Sequence, residues 1–186
     1  GSAFLHNIKP SDFEQITIID NMSSQRYSSL FNLPEEVNYR FIDKDILDSD
    51  IDKYVKEVDV VIHLAAITDA TSSFENHEQV EKVNFVGTKK IAESCLNYSS
   101  KLIFPSTTSV YGVQQGRVDE SCSEEDLKPQ SPYAKSKLKS EKLLTKLGNE
   151  GLNFITCRFG TIFGTSIGMR FHTAVNKFCF QACTKR

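Results

Sequence analysis

VDVVIHLAA, residues 58–66, is a continuous apolar run with a charged segment before it and a Thr/Ser-rich loop after it. Such a run reads as a central strand buried on both faces, as the strands of parallel sheets are. Working outward from it, residues 15–20 form an Ile/Thr-rich run that ends on the carboxylate of Asp20, and residues 38–45 carry Tyr39, Phe41 and Ile42 before Asp45. Both read as further strands. On the other side, residues 101–105 are a short strand that runs into Ser106-Thr107-Thr108-Ser109-Val110-Tyr111-Gly112, and residues 153–158 give one more.

Helical patterns fall between the strands. Residues 1–8 place Phe4, Leu5 and Ile8 at helical spacing, residues 48–57 are a polar helix, and residues 78–96 keep a 3.6 period through Val80, Val83, Asn84, Gly87, Ile91 and Cys95. Asn84 is thus polar on an inward face and needs partners there. At residues 131–148, Ser131 suits the N-cap and Pro132 the first helical position. Residues 171–183 could begin a last helix. Strands alternating with helices predict a doubly wound parallel sheet. Ligands of such sheets bind beyond the carboxyl ends of the strands. Asp20, Asp45, the residues after His63, and Ser106 to Ser109 all fall at such ends.

The composition is that of an ordinary globular protein: 186 residues, 39% hydrophobic and 25% charged, with a net charge of −2. No Lys/Arg run offers an electrostatic reason to expect nucleic acid or an anionic membrane as partner. Neither a signal peptide nor a bilayer-spanning apolar run is present in the sequence. Cys95, Cys122, Cys157, Cys179 and Cys183 are odd in number and scattered, which reads as reduced thiols in a cytoplasmic protein. His6, His63, His77 and His172 are equally dispersed, so no metal site is expected.

The chemistry concentrates in Tyr133 and Lys137, four positions apart and so on one helix face. A phenol is a poor base at neutral pH unless an ammonium beside it stabilises the phenolate. Alone, Tyr-x-x-x-Lys is also common on solvated helix faces; its position after a strand tipped with Ser106-Thr107-Thr108 favours the catalytic reading.

Taken together, Ile18-Ile19-Asp20-Asn21, Asp45-Ile46, His63-Leu64-Ala65-Ala66, Asn84-Phe85-Val86-Gly87-Thr88, the Ser/Thr cluster before Val110-Tyr111-Gly112, Tyr133-x-x-x-Lys137 and Arg158-Phe159 are in order and spacing those of a known family. The chain resembles the extended short-chain dehydrogenases/reductases, specifically the NAD-dependent nucleotide-sugar epimerase/dehydratase branch. The resemblance implies a Rossmann-like doubly wound parallel sheet, with residues 1–164 as the NAD-binding domain and 165–186 as the start of a substrate-binding region. It implies that Asp20 holds the adenosine ribose hydroxyls and repels a 2′-phosphate, favouring NAD over NADP. Asn21, Asp45 and Ile46 would flank the adenosine, and Leu64, Ala65 and Ala66 would let the backbone pass close to the cofactor.

The same resemblance makes Tyr133 the general acid/base on a sugar hydroxyl, with Lys137 lowering its pKa and holding the nicotinamide ribose. Thr107 falls where the family places its catalytic Ser or Thr, with Ser106, a further cofactor-binding candidate, and Thr108 as neighbouring alternatives. Asn84 would tie its helix to the catalytic loop, or serve structure alone, and Phe159 would lie beside the nicotinamide. The implied substrate is a nucleoside-diphosphate sugar. Dehydratases of the branch carry an Asp-Glu pair directly after the catalytic Thr, where this chain has Thr108-Ser109. An epimerase is therefore expected, with a 4,6-dehydratase, a decarboxylase or a non-catalytic dinucleotide-binding module as alternatives. Many relatives pair helices such as 78–96 and 131–147 in a homodimer. Thr161 stands where many relatives have a substrate-contacting Asn. The family's first strand and most of its Gly-x-x-Gly-x-x-Gly turn have no counterpart before Gly1, nor its substrate lobe after residue 186. From this the 186 residues alone are expected to bind NAD weakly and not to turn over.

Overall fold

The structure, a computed structural model, describes residues 1–184 apart from 71 and 172; His172 thus lies outside the described residues. It divides into two compact units, one made of Gly1–Asp45 with Thr161–Arg186, the other of Ile46–Gly160.

In the first unit, β1 (Ile16–Asp20) and β2 (Tyr39–Asp43) pair in parallel, Ile16 opposite Tyr39 and Asp20 opposite Asp43. The β-branched run of β1 suits a pleated, half-buried surface. Leu5, Ile8 and Val37 form the buried core, with Ile16, Ile18, Leu30, Leu33 and Tyr39 packed on it. Leu5 belongs to α1 (Ser2–His6), whose last turn is fixed by the Tyr39 hydroxyl donating to the Leu5 carbonyl at 3.3 Å. Gly168 passes so close to Ser2 that a Cβ there would lie 2.6 Å from its hydroxyl, which accepts the Gly168 N–H at 3.1 Å. The unit ends in α6 (Ala174–Thr184).

In the second unit β3 (Val60–Ile62), β4 (Lys101–Thr107) and β5 (Phe154–Phe159) form a parallel sheet in that order, with Leu102, Phe104, Ser106 and Thr107 of the middle strand buried. No ladder joins this sheet to β1 and β2 among the described residues. The expected strand over 58–66 is much shorter and not buried on both faces: Val60 is 38% exposed. Among the described residues β3 has a hydrogen-bonded neighbour only in β4. Beyond it the His63 N–H still reaches the Ile103 carbonyl at 3.0 Å, and the Leu64 N–H then turns back onto the Ile62 carbonyl at 3.1 Å. The Asn84 amide takes both the N–H and the carbonyl of Ile67, at 2.8 and 2.9 Å, as a strand partner would.

The helix expected over 78–96 is present as α3 (His77–Val80), a π-helical stretch Glu81–Gly87 and α4 (Thr88–Tyr98). The widened turn has identifiable causes. The Asn84 carbonyl accepts the hydroxyls of Thr88 at 2.6 Å and Ser140 at 3.2 Å, which compete with the helical ladder. Gly87 packs against Ile46, where a Cβ would lie 2.4 Å from Ile46 Cδ1. The helix expected over 48–57 shrinks to α2 (Asp52–Val55). Before it the backbone closes tighter turns, Ile51 N–H to the Asp48 carbonyl at 3.3 Å and Lys53 N–H to that of Asp50 at 3.4 Å, and Lys90 Nζ also binds the carbonyls of Leu47 and Asp48.

α5 (Pro132–Asn149) begins as its sequence dictates: Ser131 caps it, accepting the Ala134 N–H at 3.1 Å, and Pro132 occupies the first turn. Its buried face carries Ala134, Leu144 and Leu147, but also Ser136, Lys137, Ser140 and Glu141. Four polar side chains on a buried face need partners, and those partners define the site.

Candidate functional site

Lys137 is 3% exposed. Its ammonium donates to the Pro105 carbonyl of β4 at 2.8 Å and lies 4.5 Å from the centre of the Phe104 ring. Burial pushes it down to about 8, against the opposing pull of the Glu141 carboxylate. Tyr133 sits one turn earlier on α5, partly exposed, with its backbone N–H toward the Ser73 hydroxyl at 3.4 Å and its carbonyl accepting Ser136 Oγ at 2.8 Å.

The three hydroxyls at the β4 tip separate in the structure. Thr107 is buried, and its Oγ1 accepts the Ser109 N–H and donates to Ser109 Oγ, both at 3.1 Å. Ser106 turns its hydroxyl to Glu141, so any cofactor contact from Ser106 falls to its backbone. Thr108 is exposed on the turn that follows. Pro105, which anchors Lys137, is two residues from Thr107; one helix and one strand tip therefore carry all three expected catalytic residues.

Asn84 joins the loop after β3 to α5. Besides its double bond to Ile67, its Nδ2 donates to Ser136 Oγ at 3.3 Å. The loop it ties is thus the one at Ile67 rather than the catalytic turn after β4. His63, at the end of β3, lies with Nε2 3.0 Å from Thr88 Oγ1. Thr88 already donates to the Asn84 carbonyl, so the His63 nitrogen is the donor in this pair. Burial, with the Lys137 charge beside it, pushes His63 down to about 3 and keeps the ring neutral.

In the first unit Asp20, Asn21 and Asp45 come together at the carboxyl ends of β1 and β2. Asn21 Nδ2 donates to Asp45 Oδ2 at 2.8 Å, and the exposed Asp20 accepts the Met22 N–H on Oδ1 at 2.7 Å. An exposed carboxylate at a strand end can accept from a ribose diol and opposes an added phosphate, so its chemistry fits the adenosine side of NAD. In the second unit Ile46 is buried against Gly87, which leaves its backbone for any ligand contact. Leu64 is exposed, Ala65 and Ala66 are half-buried after β3, and Phe159 is exposed at the end of β5. No group of three or more His, Cys, Asp or Glu side chains among the described residues could hold a metal ion.

Sequence reasoning missed the partners of Ser106. Glu141 receives Ser106 Oγ and a two-pronged contact from Arg158, whose Nη2 and Nε lie 2.7 and 3.1 Å from Oε2, while Arg158 Nη1 donates to the Tyr111 hydroxyl at 3.0 Å. Glu141 follows Lys137 at the spacing of an ordinary solvated ion pair, and only its place on the inward face distinguished it. Arg158 was visible solely as part of the family pattern.

The profile of the NAD dependent epimerase/dehydratase family matches residues 1–185. The chain belongs to that family. It is 35% identical over 163 residues to the uncharacterized UDP-glucose epimerase YtcB of Bacillus subtilis, covering 85% of this chain and 51% of that protein. To the dTDP-D-glucose 4,6-dehydratase of Dictyostelium discoideum it is 31% identical over 144 residues, 70% of this chain and 33% of that one. Among solved structures, the UDP-N-acetylglucosamine 4-epimerase of Methanobrevibacter ruminantium M1, in complex with UDP-N-acetylmuramic acid, superposes with a TM-score of 0.80 at 30% identity, covering 90% of this chain and 54% of that chain. The UDP-glucuronic acid 4-epimerase of Bacillus cereus, in complex with UDP-glucuronic acid and NAD, gives 0.75 at 27% identity, covering 91% and 55%. The Rossmann-like α/β class is that of these neighbours. The chain spans about half the length of the epimerases it matches.

Proposed function

We propose that the protein is an NAD-dependent epimerase of a uridine-diphosphate sugar acting at C4, in which Thr107, Tyr133 and Lys137 do the proton chemistry. The observation that carries this reading is the buried Lys137, anchored to Pro105 beside Thr107 and one helical turn from Tyr133. Bound NAD would supply the acceptor and later the donor of a hydride. Tyr133 would take the proton of the sugar hydroxyl, and the Lys137 charge would stabilise the phenolate. Thr107 would hold the reacting oxygen. Asp20, with Asn21 and Asp45, would take the adenosine side, and Lys137 the nicotinamide ribose. The adjoining Ile46, Leu64, Ala65, Ala66, Ser106 and Phe159 would shape the rest of the cofactor site, and Asn84 would hold α5 in place through Ser136.

The relatives include dehydratases. Against dehydration stands Thr108-Ser109, where that chemistry would need an acid and a base; the Ser109 hydroxyl is instead occupied with Thr107. Residues 1–164 would form the NAD-binding domain and 165–186 the beginning of the substrate region. A cytoplasmic homodimer belongs to the same proposal, supported by five free cysteines and by exposed Val86 and Tyr98 on the helix that relatives pair. No helix of the described residues is long and apolar enough to cross a membrane. Incubating the full-length protein and NAD with UDP-glucose, UDP-N-acetylglucosamine and UDP-glucuronic acid, followed by chromatography of the sugars, tests the reading. One C4 epimer is expected; no conversion of any of the three would reject it.

A further inference from the structure

Lys137 and Glu141 stand on successive turns of α5 and grip successive residues of β4. The Lys137 ammonium binds the Pro105 carbonyl at 2.8 Å, and the Glu141 carboxylate accepts the hydroxyl of Ser106, the next residue, which is followed by Thr107. Glu141 is itself 7% exposed. Its other bonds run to Arg158, which lies directly opposite Ser106 across the β4–β5 ladder. Arg158 in turn binds the Tyr111 hydroxyl at 3.0 Å, with its guanidinium 5.0 Å from the centre of the Tyr111 ring. One buried carboxylate therefore fastens α5, both strand tips and the turn that begins at Thr107.

We propose that Glu141 is a positioning residue of the proton-transfer site, fixing the register of α5 on the β4 tip and holding the Lys137 ammonium in its charged form. The role in turnover rests on the epimerase reading above; the electrostatic claim does not. Charge accounting supports it. Among the described residues, the titratable groups around Lys137 are His63 at the end of β3, Tyr133 and Glu141 on α5, and Arg158 of β5, which is bonded to Glu141. His63 is neutral, held well below its ordinary range by burial. Glu141 is then the anion that opposes the burial of the ammonium, and its pull on Lys137 is upward. A pair that served folding alone would act differently when cut: loosening the site would let water reach Lys137 and return it toward its ordinary value.

The two roles thus give opposite signs. With the full-length protein labelled at lysine Cε with carbon-13, the Lys137 resonance is assigned by its loss in Lys137→Met and followed against pH. In Glu141→Gln, which keeps an acceptor for Ser106 but removes the charge, the titration should fall by roughly one unit below wild type. Should that variant not fold, Glu141→Met/Arg158→Met replaces the buried ion pair by apolar side chains of similar volume, a change that proteins often tolerate. The Lys137 midpoint should fall in it as well. A midpoint that stays or rises, in whichever of the two folds, overturns the proposal. In turnover, Glu141→Gln should lower kcat about tenfold with little change in KM and move the alkaline limb of kcat to lower pH. An inactive wild type would count against the epimerase reading alone, and the lysine titration would still decide the role of Glu141.

Discussion

In the proposed mechanism Tyr133 acts as a base near neutral pH, which requires a cation to stabilise its phenolate, and Lys137, buried one turn along α5, would be that cation. Replacing Tyr133 by Phe in the full-length protein should lower kcat about a hundredfold or more, with NAD affinity nearly unchanged, as read by stopped-flow turnover and cofactor titration. Equal turnover would remove Tyr133 from the chemistry. Burial of Lys137 also leaves a mark on stability. The folded chain gives up this proton near 8, the unfolded chain near its ordinary 10.5. Between those values the unfolded state binds more protons, so stability gains as pH rises, and below pH 8 the full burial cost is present. Urea unfolding of wild type and Lys137→Met should therefore diverge in favour of wild type from pH 8 to 10.5, by on the order of 3 kcal/mol in total. A pH-independent difference would mean that Lys137 is not buried as a charge. Of the candidate site, Tyr133 and Lys137 were legible from their spacing on one helix face, and Thr107 only through the family resemblance, with Ser106 and Thr108 as alternatives. Glu141 was not, because a Glu four residues after a Lys reads equally well as a solvated pair.

At the scale of elements, the turns before and after β4 carry opposite strain. Ser99 closes α4 in the left-handed region at φ 59°, with the Ser100 N–H bonded back to the Cys95 carbonyl at 3.0 Å. A glycine there removes the Cβ penalty, so Ser99→Gly should stabilise by about 1 kcal/mol in urea unfolding. Gly112, in the turn after β4, has φ +66° and lies so close to Lys128 that a Cβ would be 2.1 Å from its carbonyl oxygen. Gly112→Ala should cost at least about 2 kcal/mol, and a neutral result would show that this turn can open. β1, β2, β4, β5 and α5 were readable from apolar patterning and from the Ser131-Pro132 start. The early end of β3, the π-helical stretch and the short α2 were not. They coincide with contacts that apolar patterning does not show: the Leu64 N–H turning back to Ile62 after β3, Thr88 and Ser140 at the Asn84 carbonyl, and the tight turn of Ile51 onto Asp48 before α2.

At the scale of the molecule, each of the two units carries strand ends with polar groups, Asp20 with Asn21 and Asp45 in one, Thr107 with Tyr133 and Lys137 in the other. The match to the NAD dependent epimerase/dehydratase family runs through both. Family membership leaves epimerisation and dehydration to be separated, and the proposed function takes the former because Thr108-Ser109, not a carboxylate pair, follows Thr107. An epimerase of this kind moves hydrogen from C4 and returns it to the same carbon on the other face, without exchange with water. A 4,6-dehydratase instead draws a proton from solvent into the sugar. The most direct test is to run the full-length protein and NAD with UDP-glucose deuterated at C4 and follow the label by NMR. The expected product is the C4 epimer with deuterium retained. A 4-keto-6-deoxy product, or loss of the label to solvent, would contradict the epimerase assignment.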